Sequence, residues 1–177
     1  MTSLAFLENV SVNNMLGILA QAGGNGLFFG QVGAALMLGL AALGSAIGIG
    51  AAGQAAAGAW GKEGKAGKTL RFTYIILMGL PMSQTLYAMM VMNKVKDVLT
   101  TDVAMANAGL LFGIGIATGL GEMLSAWMQG LIGAAGVRSL SESDGKGFAF
   151  LLIAMGIVET VGIFTMVFLF GLLPATS

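Results

Sequence analysis

Four long apolar segments divide the chain, at about residues 27–60, 70–93, 103–137 and 147–173. Each exceeds the ~20 residues that an α-helix needs to cross the hydrocarbon core of a bilayer. Short polar connections separate them: Gly61–Thr69, Lys94–Asp102 and Arg138–Lys146. The pattern therefore predicts an all-α membrane protein whose four transmembrane helices form two tandem hairpins.

The same pattern predicts three parts of the chain. Residues 1–26 form an N-terminal extension, residues 27–93 form the first transmembrane hairpin, and residues 103–173 form the second. The second hairpin contains the acidic residue that carries the candidate ion site.

Composition narrows the chemistry. The chain is 56% hydrophobic and 9% charged, has a mean hydropathy of +0.89 and no net charge, and contains neither Cys nor His. A soluble domain carries about 25% charged residues, so this is the composition of an integral membrane protein without a nucleic-acid partner. Thiolate and imidazole chemistry is excluded. The carboxylate, amide, hydroxyl and carbonyl oxygens that remain suit protons and hard cations.

Basic residues predict the orientation in the membrane. Six lie in or beside the first and third connections and two lie in the second, in the order Lys62, Lys65, Lys68, Arg71, Lys94, Lys96, Arg138 and Lys146. Because Lys and Arg are enriched in cytoplasmic loops, both hairpin loops are expected in the cytoplasm and both termini outside.

Glycine separates the helices into two kinds. The first and third segments have eight glycines each, whereas the second and fourth carry most of the bulky aromatic residues. Small residues at four-residue spacing let helices approach closely in a membrane. Glycine content alone fits equally well the inner layer of a multi-copy ring and a compact four-helix bundle.

The two hairpins resemble each other, which indicates an internal duplication. Residues 78–82 align with residues 155–159 at a shift of 77, and residues 55–58 align with residues 133–136 at a shift of 78. Two similar shifts from independent helices support one another. Met82 then occupies the position of Glu159, so the first hairpin lacks the carboxylate.

Glu159 is the strongest functional candidate. It lies near the middle of the fourth apolar segment, and no Lys or Arg lies deep in any segment to neutralise it. A carboxylate at that depth costs several kcal/mol unless it is neutralised or coordinates an ion. We therefore interpret Glu159 as an ion-carrying group.

Polar partners lie on two other segments. Leu80, Ser83, Gln84 and Tyr87 share one helix face, and the third segment contributes Gln129. The intervening proline of the second segment is expected to kink the helix and to free the Leu80 carbonyl. A proton requires only a carboxylate in an apolar pocket, so two glutamines and a serine favour Na⁺. Singly, each Gln or Ser fits an interhelical hydrogen bond equally well.

Glu122 is a second intramembrane carboxylate. It lies seven residues before Gln129, on nearly the same face and about 10 Å along the axis. Two roles remain open, a protonated hydrogen-bond donor to a neighbouring helix and a second point on an ion path. The structural role is favoured.

These residues resemble the duplicated-hairpin proteolipid of rotary V-type (V/A-type) ATPases, called subunit K or c. The resemblance spans about residues 28–173 and is most specific over residues 80–87, 129–136 and 155–160. It implies an ion site for Na⁺ formed by Leu80 (carbonyl), Ser83, Gln84, Tyr87, Gln129 and Glu159. Ser83 stands where the family has Thr, and both the N-terminal extension and Glu122 depart from the family pattern.

The resemblance also implies the assembly. A non-catalytic subunit would form a homo-oligomeric ring in the lipid membrane, with segments one and three inside. The ring would contact a stator membrane subunit bearing an Arg and, through loops 61–69 and 138–146, a central-stalk subunit. Two alternatives remain open, an H⁺-carrying proteolipid without a metal ion and a small tetraspan transporter or assembly protein.

Overall fold

The structure is a computed structural model that describes the backbone of residues 3–176 and the side chains of residues 26–176. Its elements are all helical over these residues: α1 (Ser3–Lys65), α2 (Thr73–Gly79), a 3₁₀ turn (Leu80–Met82), α3 (Ser83–Leu99), α4 (Ala108–Glu142) and α5 (Phe148–Gly171). The expected fold class is confirmed, with four spans that are long and apolar enough to cross a membrane.

The spans are Gly26–Lys65, Thr73–Leu99, Ala108–Glu142 and Phe148–Gly171. They form helices because a chain in lipid must satisfy its backbone hydrogen bonds within the segment. The boundary predicted between residues 26 and 27 falls inside α1. Most of the predicted extension lies outside the residues whose side chains are described, and it stays a prediction.

Three helices extend beyond their predicted ends. α1 continues to Lys65, α3 continues from the predicted end at residue 93 to Leu99, and α4 continues to Glu142. Charged residues mark the end of an apolar run but do not end a helix. Lys62 and Lys65 even complement the negative end of the α1 dipole.

The glycine-rich helices α1 and α4 pack together along their length and form one layer of the bundle. They approach backbone to backbone, because a Cβ on Gly130 would collide with the backbone of Gly48. The remaining helices cover this layer, with α3 touching both α1 and α4 and α5 touching α4 and α3. The outer side of α5 exposes bulky apolar residues, including Phe150, Ile157 and Phe168.

Two apolar clusters occupy the two ends of the bundle. One contains Met37, Val91 and Leu111 and lies near the connection between α3 and α4, at the end away from the hairpin loops. The other contains Tyr74, Leu77, Val137, Leu140 and Met155 near the hairpin loops. Fully buried polar side chains of α3 and α4 lie between them along the helices. The polar centre is therefore closed by packed side chains at both ends.

A charged cluster joins the two hairpin loops. Arg71 donates to Glu63 Oε1 at 2.7 Å, to the Leu140 carbonyl at 3.2 Å and to Asp144 Oδ1 at 3.4 Å. Lys68 also donates to Asp144 at 2.7 Å, and this hydrogen bond lowers the pKa of the Asp144 carboxyl. Glu63 is 2% exposed and also accepts from the Tyr74 hydroxyl. The first loop is thereby fixed to the second.

Candidate ion-binding site

A break in the second span positions the α3 side of the site. Pro81 has no backbone N–H and its ring clashes with the preceding turn, so α2 stops at Gly79 and a 3₁₀ turn precedes α3. The expected interruption is therefore present. The expectation that the Leu80 carbonyl is freed is wrong, because this carbonyl accepts hydrogen bonds from the Ser83 backbone N–H and, at 3.0 Å, from the Ser83 hydroxyl within the 3₁₀ turn.

Three oxygens are consequently close together at the start of α3. The Ser83 Oγ lies 3.0 Å from the Leu80 carbonyl oxygen and 3.2 Å from Gln84 Oε1. Gln84 itself is fully buried. A carbonyl, a hydroxyl and an amide oxygen thus form a small cluster of neutral oxygen ligands.

The two glutamines connect α3 to α4. Gln84 Nε2 donates to Gln129 Oε1 at 3.2 Å, and Gln129 is also fully buried. Gln129 Nε2 in turn donates to the Met155 carbonyl of α5 at 3.2 Å. These bonds orient both amides, because each amide has a partner on a different helix.

Glu159 receives hydrogen bonds from two helices. The Tyr87 hydroxyl donates to its Oε1 at 2.8 Å, and Gln129 Nε2 donates to its Oε2 at 3.5 Å. Glu159 is half-buried, and its neighbours Ile157 and Thr160 are exposed on the outer side of α5. The carboxylate therefore lies at the outer edge of the bundle, held from the inside.

All six predicted site residues thus belong to one connected polar network, running from the Leu80 carbonyl through Ser83, Gln84 and Gln129 to Glu159 and Tyr87. Residues 26–176 contain no cluster of three or more His, Cys, Asp or Glu side chains. One negative charge surrounded by neutral oxygens suits a monovalent cation better than a divalent one.

Sequence reasoning missed Ser125. Its hydroxyl accepts from Gln84 Nε2 at 3.3 Å and donates to the Val158 carbonyl at 3.0 Å, so it supports Gln84 and links α4 to α5. The available signal was its position four residues before Gln129, on the same helix face.

Glu122 lies apart from this network. It is fully buried, and within the described part of the chain neither of its carboxyl oxygens has a hydrogen-bond partner. The neighbouring Thr118 hydroxyl is likewise buried and without a partner there. No hydrogen bond supports Glu122 as a donor to a neighbouring helix, and none connects it to the ion-binding network.

The first hairpin has a different polar contact. Met82, the counterpart of Glu159, is 57% exposed on the outer side. Nearby, the Ser45 hydroxyl donates to the Pro81 carbonyl at 2.6 Å and lies 2.8 Å from the Thr85 hydroxyl. This contact fixes α1 to the proline break, and no carboxylate takes part in it.

Fold and site together define a class, a two-hairpin membrane protein with one half-buried carboxylate at the outer edge of its second hairpin. A family model that describes the C subunit of ATP synthase matches the chain twice, over residues 32–93 and 112–172. The chain belongs to this ATP synthase family of membrane proteolipids. The resemblance to a duplicated-hairpin proteolipid of a rotary ATPase is confirmed, because each match covers one hairpin.

A curated relative agrees with this assignment. The A-type ATP synthase subunit K of Methanocaldococcus jannaschii is 34% identical over 131 residues, which are 72% of this chain and 55% of the relative. The chain thus spans just over half the length of the curated relative it matches. Proteins of this family are non-catalytic parts of an ion-translocating rotor, and the expectation of a non-catalytic membrane subunit is confirmed.

Proposed function

We propose that the chain is a rotor-ring subunit that binds Na⁺ at Glu159 and carries it through the membrane as the ring turns. The observation that supports this most strongly is the convergence of α3 and α4 on one α5 carboxylate. Tyr87 and Gln129 contact its two oxygens, and the Ser83 and Gln84 oxygens lie in the same network.

The oxygen set favours Na⁺ as the cargo. Besides Glu159, the site offers the Leu80 carbonyl, the Ser83 hydroxyl and the two glutamine amide oxygens, which suit a hard cation. The amide oxygens of Gln84 and Gln129 have two lone pairs each, so each can accept its present hydrogen bond and still coordinate an ion. The Leu80 carbonyl accepts two hydrogen bonds from Ser83 and would exchange the hydroxyl bond for the ion. The single carboxylate then neutralises one monovalent charge.

Rotation would use the half-buried position of Glu159. In a ring with α1 and α4 inside, the carboxylate faces the outer side, where a stator subunit's Arg would release the ion. The hairpin loops would lie in the cytoplasm, the termini outside, and the linked loops would contact the central stalk. Moving one charge against 100 mV requires about 2.3 kcal/mol. One carboxylate per four helices carries few ions per turn, which favours ATP-driven pumping.

A second candidate is an H⁺-carrying ring of the same architecture. A proton needs only one carboxyl oxygen, and the contact of Glu159 Oε2 with Gln129 Nε2 is long, at 3.5 Å, so this oxygen can take a proton while the Tyr87 hydroxyl holds Oε1. A small tetraspan transporter working without a ring is a third candidate, and family membership makes it the weakest.

Carboxyl-reactive carbodiimide labelling of the purified rotary complex separates these candidates. If the ring carries Na⁺, added Na⁺ at constant pH slows the modification of Glu159, whereas K⁺ at the same concentration does not. Protection that follows pH alone supports H⁺ transport, and the absence of selective labelling supports the third candidate. The Glu159→Gln variant is the control, because loss of the labelling in this variant identifies Glu159 as the labelled residue.

A further inference from the structure

Glu122 is a fully buried carboxyl of α4 whose location the Glu159 site does not explain. Four polar residues on one face of α4, Thr118, Glu122, Ser125 and Gln129, are spaced by four, three and four residues, and each is at most 2% exposed. Ser125 and Gln129 have partners in the site. Thr118 and Glu122, which lie farther from the hairpin loops, have none within the described residues.

Glu122 is pressed against the backbone of α5. A Cβ on Gly162 would lie 2.6 Å from Glu122 Oε2 and 3.2 Å from Ser125 Oγ, so the absence of a side chain at Gly162 leaves room for the carboxyl. Gly162 is three residues beyond Glu159, which is about one helical turn. The two carboxyls are therefore close but belong to different surroundings.

Within residues 26–176, an ionised Glu122 would have no cation beside it to balance its charge. The basic residue on its own helix, Arg138, is 16 residues away, about 24 Å along the axis. Tyr87 of α3 and Glu159 of α5 are titratable, but neither is a cation. The cations of α3, Lys94 and Lys96, are exposed beyond the apolar part of that helix, and Lys94 pairs with Asp97. α1 has no titratable group between residues 26 and 61. A buried charge without a partner costs several kcal/mol.

The surroundings also limit which cation can neutralise it. Thr118 and Glu122 together offer three oxygens, fewer than the six or more that hard metal ions such as Ca²⁺ and Mg²⁺ take in proteins. Leu111 and Ile114 of the apolar cluster separate them from the end of the bundle. A proton needs one oxygen and no coordination shell.

We propose that Glu122 is a second, occluded proton-binding carboxyl, which stays a neutral acid while Glu159 exchanges its ion. The chain would then hold one resident proton and one transported cation. This proposal does not depend on whether the transported cation is Na⁺ or H⁺.

Infrared spectroscopy of purified rings tests the proposal, because carboxylic acids and carboxylates absorb at different frequencies. The spectrum of Glu159→Gln minus that of the Glu159→Gln/Glu122→Gln double variant isolates Glu122. We expect one acid carbonyl band, and in the difference between wild type and Glu122→Gln, where the Glu159 site is intact, we expect this band to be unchanged between Na⁺-free and saturating Na⁺ conditions. A carboxylate band in its place overturns the proposal, and so does an acid band that Na⁺ converts to a carboxylate band.

A second comparison covers the case in which Glu159→Gln rings do not assemble. Wild type minus Glu122→Gln isolates the same group with the site intact. Failure of the Na⁺ proposal is visible separately, as wild-type rings that bind no ²²Na⁺.

Discussion

The hydroxyl of Tyr87 on α3 donates a 2.8 Å hydrogen bond to Oε1 of Glu159 on α5. This bond joins helices from different hairpins, 72 residues apart in the chain. It holds the carboxylate from the inside, at the outer edge of the bundle, where the flanking residues Ile157 and Thr160 are exposed. The same contact that builds the site therefore also fixes the second hairpin to the first.

Tyr87→Phe removes this hydrogen bond but keeps the packed aromatic side chain. Because the carboxylate is then less well oriented toward the other oxygens, we expect the Na⁺ concentration for half-maximal ATP hydrolysis to rise about three- to tenfold. The Na⁺ dependence of ATPase activity measures this. Tyr74→Phe is the matched control, since Tyr74 bonds Glu63 near the loops. An unchanged Na⁺ dependence in Tyr87→Phe would remove Tyr87 from the site.

Ser125→Ala tests a positioning residue. Loss of its hydroxyl leaves Gln84 with one fewer partner and unties α4 from the Val158 carbonyl. We expect the half-saturating Na⁺ concentration to rise about two- to tenfold while the maximal rate stays near wild type. Ser139→Ala, at an exposed position of the same helix, should change neither. A two- to tenfold fall in the maximal rate, with no change in the half-saturating Na⁺ concentration, would contradict the positioning role.

Gly162→Ala tests the close contact between α5 and Glu122. The new methyl group would lie 2.6 Å from Glu122 Oε2, so the carboxyl or the helix must move. Overpacking of this kind costs about 1–3 kcal/mol, and the thermal stability of the detergent-extracted ring should fall. Gly156→Ala is the control on the same helix, because nothing lies within 4 Å of its added carbon. Equal stabilities of the two variants would argue against the contact.

Arg71→Met and Glu63→Gln test the link between the loops. Removing Arg71 leaves the Glu63 carboxylate buried without its cation, a loss of about 3–5 kcal/mol. Glu63→Gln leaves an arginine that still bonds the Leu140 carbonyl and Asp144, so its cost should be smaller. Thermal unfolding of both single variants and the double variant measures the coupling. If the Arg71→Met variant is as stable as the Glu63→Gln variant, or more stable, this order is contradicted.

Much of this structure could be predicted from the sequence, because membrane spans and an intramembrane carboxylate leave strong signals. The four spans and the proline break follow from apolar length and from Pro81. The residues that converge on Glu159 follow from helical spacing and from resemblance. Their connection through Gln84 and Gln129 depends on which helices pack side by side, which spacing within one helix does not determine.

The features that could not be predicted depend on distant contacts or on the far ends of helices. The sequence shows Arg71 only as a loop charge, whereas it bonds Leu140 and Asp144, about 70 residues away. α3 continues past Lys94 because charged residues are tolerated in a helix once it leaves the apolar layer, and Lys94 even pairs with Asp97 at 3.4 Å. The lack of partners at Glu122, within the described residues, is likewise a property of its surroundings and not of its own segment.

The central claim is that Glu159 carries the transported Na⁺. ATP-driven ²²Na⁺ uptake by vesicles that contain the reconstituted rotary complex tests it most directly, with Glu159→Gln compared with wild type and with Asp102→Asn, an exposed loop carboxylate, as control. Top views of the extracted particles confirm that each variant still forms a ring. We predict uptake by wild type and Asp102→Asn and none by Glu159→Gln. Sustained ²²Na⁺ uptake by assembled Glu159→Gln complexes would contradict the claim.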